Sequence, residues 1–277
     1  MSVSFFVLQL ISLVVIVLAD FNTEMNITWG DGRATISKDG LNLTLSMDQT
    51  SGSGCKSKAS YLYGRFDVQM QLIKGDSAGT VTTFYLSSDQ KAHDEVDMEF
   101  LGNIDGKPYT LSTNVYTKGK GRREQKFHLW FNPTADFHHY AILWTPSQII
   151  LFVDGIPIRG FTRGTAQLPY VDQAMTVHTT LWDGSSWATD GGKEKVDWSK
   201  APFNAYYRNL KIQACFPTAN GSYTCGNDAA SWIAQNLTAA EVASMDRARG
   251  KFMTYNYCTD PTNKGNSTVQ NECSREL

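Results

Sequence analysis

Three acidic residues stand at alternate positions in the stretch Glu95-Val96-Asp97-Met98-Glu99. Side chains on an extended strand point alternately to its two faces. Val96, Met98 and Phe100 therefore share one face, and Glu95, Asp97 and Glu99 the other. Neighbouring acids are then about 6.6 Å apart at Cα, and Glu95 and Glu99 about 13 Å. A retaining glycosidase needs two carboxyl groups roughly 5–5.5 Å apart, one to attack the anomeric carbon and one to protonate the leaving oxygen. Two glutamate side chains leaning together on a curved strand close much of that gap, whereas two aspartates would struggle to reach. In such a row Asp97 supports the pair by hydrogen bonding and by its charge. Like charges nearby raise a carboxyl pKa, which keeps one acid protonated near its working pH. The spacing by itself fits a solvated acidic face as well as a catalytic row. A divalent-metal site is a third reading.

Aromatic residues accompany the acids: seven Trp, twelve Tyr and fourteen Phe. Most belong in a core. Trp182 and Trp187, however, fall in the polar, loop-like run Leu181-Trp182-Asp183-Gly184-Ser185-Ser186-Trp187, and Tyr85 lies on the strand before the acids. Exposed indole and phenol rings there would suit the apolar C–H faces of sugar rings.

The elements that must position these residues are strands. Period-two alternation marks Thr35 to Ser37, Leu41 to Leu45, Phe66 to Leu72 and Ile149 to Val153. Turn signals separate them at Gly30-Asp31-Gly32, Lys38-Asp39-Gly40, Lys74-Gly75-Asp76 and Asp154-Gly155. Regular short strands of this kind predict an all-β antiparallel sandwich rather than α/β. One helix is expected near the end. Thr238 and Glu241 form a capping box, the helix runs to about Arg249, and Gly250 ends it. A strand over Lys251 to Tyr257 follows. The chain divides into a catalytic domain, 20–208, and a C-terminal extension, 209–277.

The 277 residues carry a formal net charge of -2, which gives no strong pull toward nucleic acid or anionic membrane. The small basic cluster Lys118, Lys120, Arg122 and Arg123 reads as a solvated loop. Phe5 to Leu18 is mostly apolar but short of the roughly 20 residues that span a bilayer. Val17-Leu18-Ala19 fits a cleavage site, so residues 1–19 are expected to be a secretory signal peptide, with a membrane anchor or buried strand as the alternative. Of five cysteines, Cys215, Cys225, Cys258 and Cys273 fall in two close pairs. Local pairing, Cys215 with Cys225 and Cys258 with Cys273, is expected in an oxidising compartment, although four cysteines allow three connectivities. A zinc site lacks the spacing and the histidines. Cys55 is left over as a buried thiol. Asn26, Asn42, Asn220, Asn236 and Asn266 each begin a glycosylation sequon.

His93-Asp94-Glu95-Val96-Asp97-Met98-Glu99-Phe100-Leu101-Gly102-Asn103 resembles the active-site signature of the plant xyloglucan endotransglucosylase/hydrolases of glycoside hydrolase family 16. The resemblance extends to Ile27 to Gly32, Ser77 to Val81, Arg123 to Gln125, Leu129 to Phe131, Val153 to Arg159, Trp198 to Phe203 and Tyr255 to Asp260. It implies a concave β-jelly-roll sandwich with a long cleft, Glu95 as nucleophile, Glu99 as acid/base and Asp97 as their support. It also implies a covalent glycosyl-enzyme released to another glucan chain or to water. It carries Asn114, Arg123, Glu124, Trp187 and Gly191 into the cleft. His93, Ser112, Thr113, Arg122, Ser186, Tyr85 and Trp182 are counted with them as substrate contacts. Cell-wall polysaccharide donor and acceptor chains are the implied partners of a secreted, monomeric, apoplastic enzyme with no metal or other cofactor. Asp105 removes a sequon usual in the family at Asn103. Ser112, Ser185-Ser186 and the loop after Cys258 also depart from the family pattern. These departures leave mixed-linkage glucan or cellulose open as donors, beside the reading of a glucan-binding wall protein without turnover.

Overall fold

A computed structural model describes residues 20–165 and 168–277. The expected signal peptide lies outside the described residues. The chain opens with a helical turn, α1 (Phe21–Glu24), and continues through β1 (Met25–Trp29), β2 (Ala34–Ile36), β3 (Asn42–Met47), β4 (Ser53–Ser57), β5 (Gly64–Gln71), β6 (Thr80–Ser87), β7 (Glu95–Leu101) and β8 (Thr110–Tyr116). Next come β9 (Gln125–His128), β10 (His138–Trp144), β11 (Gln148–Val153), β12 (Ile156–Thr162), β13 (Thr176–Asp183) and the long β14 (Phe203–Pro217). The chain closes with β15 (Tyr223–Cys225), α2 (Ala239–Phe252), β16 (Met253–Asn256) and α3 (Ser267–Cys273).

The strands form two antiparallel sheets, as the alternating pattern predicts. One runs β1-β4-β13-β6-β7-β8-β9-β16; the other runs β12-β11-β10-β5-β14-β3-β2, with β15 paired to the end of β14. Their inner faces meet in a single apolar core. The acid strand β7 is in the middle of the first sheet and supplies Val96, Met98 and Phe100 to that core, all fully buried. Phe100 meets Tyr140 of β10 edge-on, with ring centroids 4.7 Å apart. Burying three large apolar side chains fixes the strand's face, since a slip by one residue would turn the acids inward.

The boundary drawn at 208/209 falls inside β14. That strand pairs with β5 as far as Ala214 and with β15 from Cys215 to Pro217. The chain therefore passes from the sandwich to the extension within β14, between Ala214 and Cys215. The helix also differs from expectation. The capping box of Thr238 and Glu241 is present, but α2 passes through Gly250 to Phe252. Its last turn is held by Phe252 against Trp130, 5.3 Å between centroids, and by Arg249 Nε donating to the Ile158 carbonyl at 3.1 Å. Tertiary packing outweighs the weak helix propensity of glycine there. The following strand, β16, is correspondingly shorter than expected. A short second helix of the extension, α3, had no clear sequence signal.

Both disulfides pair locally, Cys215 with Cys225 and Cys258 with Cys273. Cys55 is free and buried, and burial pushes its thiol up to about 12. No helix among the described residues is long and apolar enough to cross a membrane.

Candidate active site

The acid row is the floor of a cleft on the outer face of the first sheet. Register places Glu95 between Ser87 and Tyr116, Asp97 between Tyr85 and Asn114, and Glu99 between Thr83 and Ser112. Because every second residue points the same way, these neighbours share the row's face. The row separates two adjoining hollows. One, of about 330 Å³, is lined by the three acids with Ser112, Asn114, Tyr116, Glu124, Lys126, Trp187 and Tyr255. The other, of about 370 Å³, is lined by the acids with Trp29, Thr83, Tyr85, Thr180 and Trp182. Larger hollows lie elsewhere, around Gly75, Asp105 and Thr134. They contain no such row of acids, so size does not identify the site.

The three carboxyls differ in environment. Burial, then the charges of Glu95 and Glu99, raise Asp97 well above the usual carboxylate range; Arg159 acts in the opposite sense. Asp97 is only 6 % exposed. Burial is also the main cause for Glu99, followed by the charges of Glu95 and Glu124, and its carboxyl is pushed up to about 7 against the pull of Lys126. Removing a carboxylate from water disfavours its charged form, and each like charge adds to the effect. The row can therefore hold a proton at Glu99 near neutral pH. Burial lifts the Tyr116 phenol as well, to about 12, with the acids contributing.

Supporting contacts fix the ends of β7. At its start Asp94 is fully buried and accepts backbone N–H groups from Lys118, Asp172 and Gln173 at 2.8 to 3.0 Å. Asp94 thus ties loops together and takes no place in the cleft. His93 stacks on Tyr116 beside Glu95, ring centroids 5.2 Å apart, with Nε2 4.0 Å from the carboxylate. At the far end Thr189 Oγ1 donates to the Gly102 carbonyl and accepts from the Gly79 N–H. This holds the Trp182–Trp187 loop against the strand's end. The two indoles are 6.0 Å apart and rest on Val81, Leu101 and Ala188. Tyr85 stacks on His178 at 4.7 Å.

The expected contact residues divide into three groups. Tyr85, Ser112, Asn114, Glu124, Trp182 and Trp187 line the hollows, and His93 flanks them. Asn114 also orients its surroundings: its amide donates to Glu124 and accepts the Arg123 and Val115 N–H groups. Arg122, Ser186 and Gly191 are exposed on loops outside the linings. Thr113 and Arg123 require correction. Thr113 alternates to the core side, where its hydroxyl donates to the Gln125 carbonyl. Arg123 is 1 % exposed. Its five N–H groups are all taken by Glu272, Val115, Lys120 and Thr117, so it fastens α3 to the sheet and has none left for a sugar. Trp29, Thr83, Tyr116, Lys126, Thr180 and Tyr255 were not singled out from sequence. They come from strands far apart in the chain, and only pairing brings them to the row. Trp29 and Tyr255 belong to stretches of familial resemblance, which give them no role. The five sequon asparagines are exposed.

Fold and row together define a class: a β-sandwich glycosidase with a carboxylate triplet on one central strand. Residues 21–200 match the glycosyl hydrolases family 16, and residues 227–273 match the xyloglucan endo-transglycosylase C-terminus. The chain is 49% identical to xyloglucan endotransglucosylase/hydrolase protein 24 of Arabidopsis thaliana, over 92% of this chain and 91% of that protein. It is also 49% identical to xyloglucan endotransglucosylase protein 7 of Diospyros kaki, over 87% and 92%. Among solved structures, a Bacillus licheniformis β-glucanase superposes with a TM-score of 0.56 at 24% identity, covering 69% of this chain and 92% of that one. The Crh5 transglycosylase superposes with 0.59 at 24%, covering 76% and 92%. These two likenesses concern the fold. The chain belongs to glycosyl hydrolases family 16, within its xyloglucan endotransglucosylase/hydrolase group.

Proposed function

We propose that the chain is a retaining endo-transglucosylase acting on the β-1,4-glucan backbone of xyloglucan, with Glu95 as nucleophile, Glu99 as acid/base and Asp97 as the group between them. The observation that carries the reading is the unequal trio: three acids on one face of one strand, with burial and neighbouring charges keeping Glu99 protonated up to about neutral pH. Glu95 attacks the anomeric carbon. The glycosidic C–O bond breaks as a C–O bond to Glu95 forms, and the Glu99 proton passes to the leaving oxygen. Glu99, now a carboxylate, takes the proton of an incoming sugar hydroxyl or of water, which attacks the same carbon and frees Glu95. Asp97, held protonated, donates to Glu95 and keeps its charge in place.

The hollows on either side of the row give donor and acceptor portions separate seats, Trp29, Tyr85 and Trp182 on one side and Trp187 and Tyr255 on the other. The names of the two relatives above, which both carry xyloglucan endotransglucosylase, support the donor and the transfer. Secretion to the plant cell wall, a monomeric state and glycan attachment at the sequons accompany the proposal. The experiment is incubation with xyloglucan and a labelled xyloglucan oligosaccharide. Labelled polymer is expected from the wild type. Glu95→Gln should lose more than about a thousandfold in transfer while still binding polysaccharide. Hydrolysis without labelled polymer would overturn the transfer reading, and retained activity in Glu95→Gln would overturn the nucleophile.

A further inference from the structure

Behind the acid row, between the two sheets, lies a buried guanidinium that the chemistry above does not use. Arg159 is on β12, at the edge of the second sheet, and is 1 % exposed. Its Nη1 donates to the carbonyl and the hydroxyl of Thr113 at 3.0 and 3.1 Å. Its Nε and Nη2 donate to the two carboxylate oxygens of Glu276 at 3.2 and 2.5 Å. Thr113 is flanked on β8 by Ser112 and Asn114, which face Glu99 and Asp97 across the strand pair and line the cleft. Arg159 therefore grips, from the core side, the segment of β8 that walls the acid row.

Glu276 is itself fixed. It accepts from Tyr257 Oη and Gln125 Nε2, both at 3.1 Å. Its backbone lies along β12 as an added bridge to Phe161, with the Thr162 N–H donating to the Arg275 carbonyl and the Leu277 N–H to the Gly160 carbonyl. A buried guanidinium is costly to hold without a partner, and a two-pronged carboxylate also locks its orientation.

We propose that Arg159 and Glu276 are a positioning pair for the acid row: Glu276 neutralises and aims the guanidinium, and Arg159 in turn holds the β8 segment that carries Ser112 and Asn114 and places a positive charge behind Asp97. This rests on the reading of Glu99 as acid/base. The charged and titratable groups around Asp97 are Glu95 and Glu99 on its own strand, Tyr85 on β6, Tyr116 on β8 and Arg159 behind. Around Glu99 they are Glu95, Glu124 and Lys126. Around the pair itself are Arg249 and Tyr257. Removing the Glu276 charge leaves the guanidinium unneutralised, and its field then favours the ionised form of Asp97, whose proton the proposed chemistry uses to hold Glu95.

The test is the pH profile of transfer by the full-length enzyme, expressed per folded molecule. The alkaline limb of Glu276→Gln is expected to move down by about half a pH unit or more relative to wild type. In Arg159→Met/Glu276→Gln, where neither charge remains, the limb should return to the wild-type position while kcat stays below wild type, because β8 has lost its tie. A Glu276→Gln profile with the limb unmoved, or a double variant with wild-type kcat, would overturn the pair's role and leave it a structural clamp only. If Glu276→Gln does not fold, the kcat of the double variant decides. A wild-type enzyme with no alkaline limb near neutral pH would instead sink the Glu99 assignment, so the two failures are distinguishable.

Discussion

Glu99 shows what a single residue costs and gains in this site. Its carboxyl carries an ordinary value of 4.5 in the open chain and about 7 in the folded one, raised first by burial. A folded value above the unfolded one contributes stability that is fully present below the unfolded value and lost as pH rises through the folded one. For Glu99 the loss runs from about pH 4.5 to about pH 7. In the proposed role of Glu99 the same rise keeps the acid protonated for catalysis, so the site would trade stability for function. Glu99→Gln cannot ionise and should escape the loss. Its melting temperature relative to wild type is expected to increase between pH 4 and pH 8, while transfer activity is abolished. Parallel melting curves at all pH values would show that Glu99 ionises normally. Thr113, Arg123 and Arg159 make the converse point. Each stands near the site in sequence or space, and each is directed to the core by strand alternation or by partners that use all its donors.

At the scale of elements, β4 illustrates how a strand far from the acids shapes their cleft. Gly54 pairs with Trp29 of β1 on one side and Thr180 of β13 on the other. A Cβ at Gly54 would stand 2.4 Å from the Trp29 indole nitrogen. The bare backbone lets the indole lie flat across the strand at the edge of the hollow, 40 % exposed and available to a sugar ring. Gly54→Ala is therefore expected to displace Trp29 and raise KM for the polysaccharide roughly threefold to tenfold, with kcat little changed. Unchanged KM in steady-state assays would mean that Trp29 makes no useful contact. The hairpin between β8 and β9 has a comparable part: Asn114 and Arg123 hold its ends, which presents Glu124 and Lys126 to the cleft.

On the scale of the whole molecule, the C-terminal extension is fastened to the catalytic sheet by charge. Glu272 binds Arg123 at the end of β8, and Glu276 binds Arg159 beneath the same strand. β16 completes the catalytic sheet by pairing with β9 and brings Tyr255 to the cleft. The Cys258–Cys273 disulfide closes this unit with a sequence separation of 15 residues. A loop of that length stabilises by about 3 kcal/mol through the unfolded chain. Cys258→Ser/Cys273→Ser should accordingly melt roughly 10 °C lower. A melting temperature equal to wild type would show that the buried ion pairs hold the extension without it.

What is local and periodic is legible in the chain alone. The alternation Glu95 to Phe100 assigned three residues to the core and three acids to one outer face, because a strand has a period of two. The close spacing of the cysteines indicated their pairing, and the capping box of Thr238 and Glu241 placed the start of α2. Spacing left the acid row equally open to solvation and catalysis, because the deciding quantity is the environment of each carboxyl. That environment is built by Tyr85, Asn114, Glu124, Lys126 and Arg159, contributed by other strands and by the turn between β8 and β9. It took the folded arrangement to turn Arg123 away from the cleft, to bring Trp29 and Tyr255 to it, and to make Glu99 the acid raised to about 7. Strand pairing joins residues far apart along the chain, and burial depends on what is packed above and below, so neither is encoded in the spacing of any one segment.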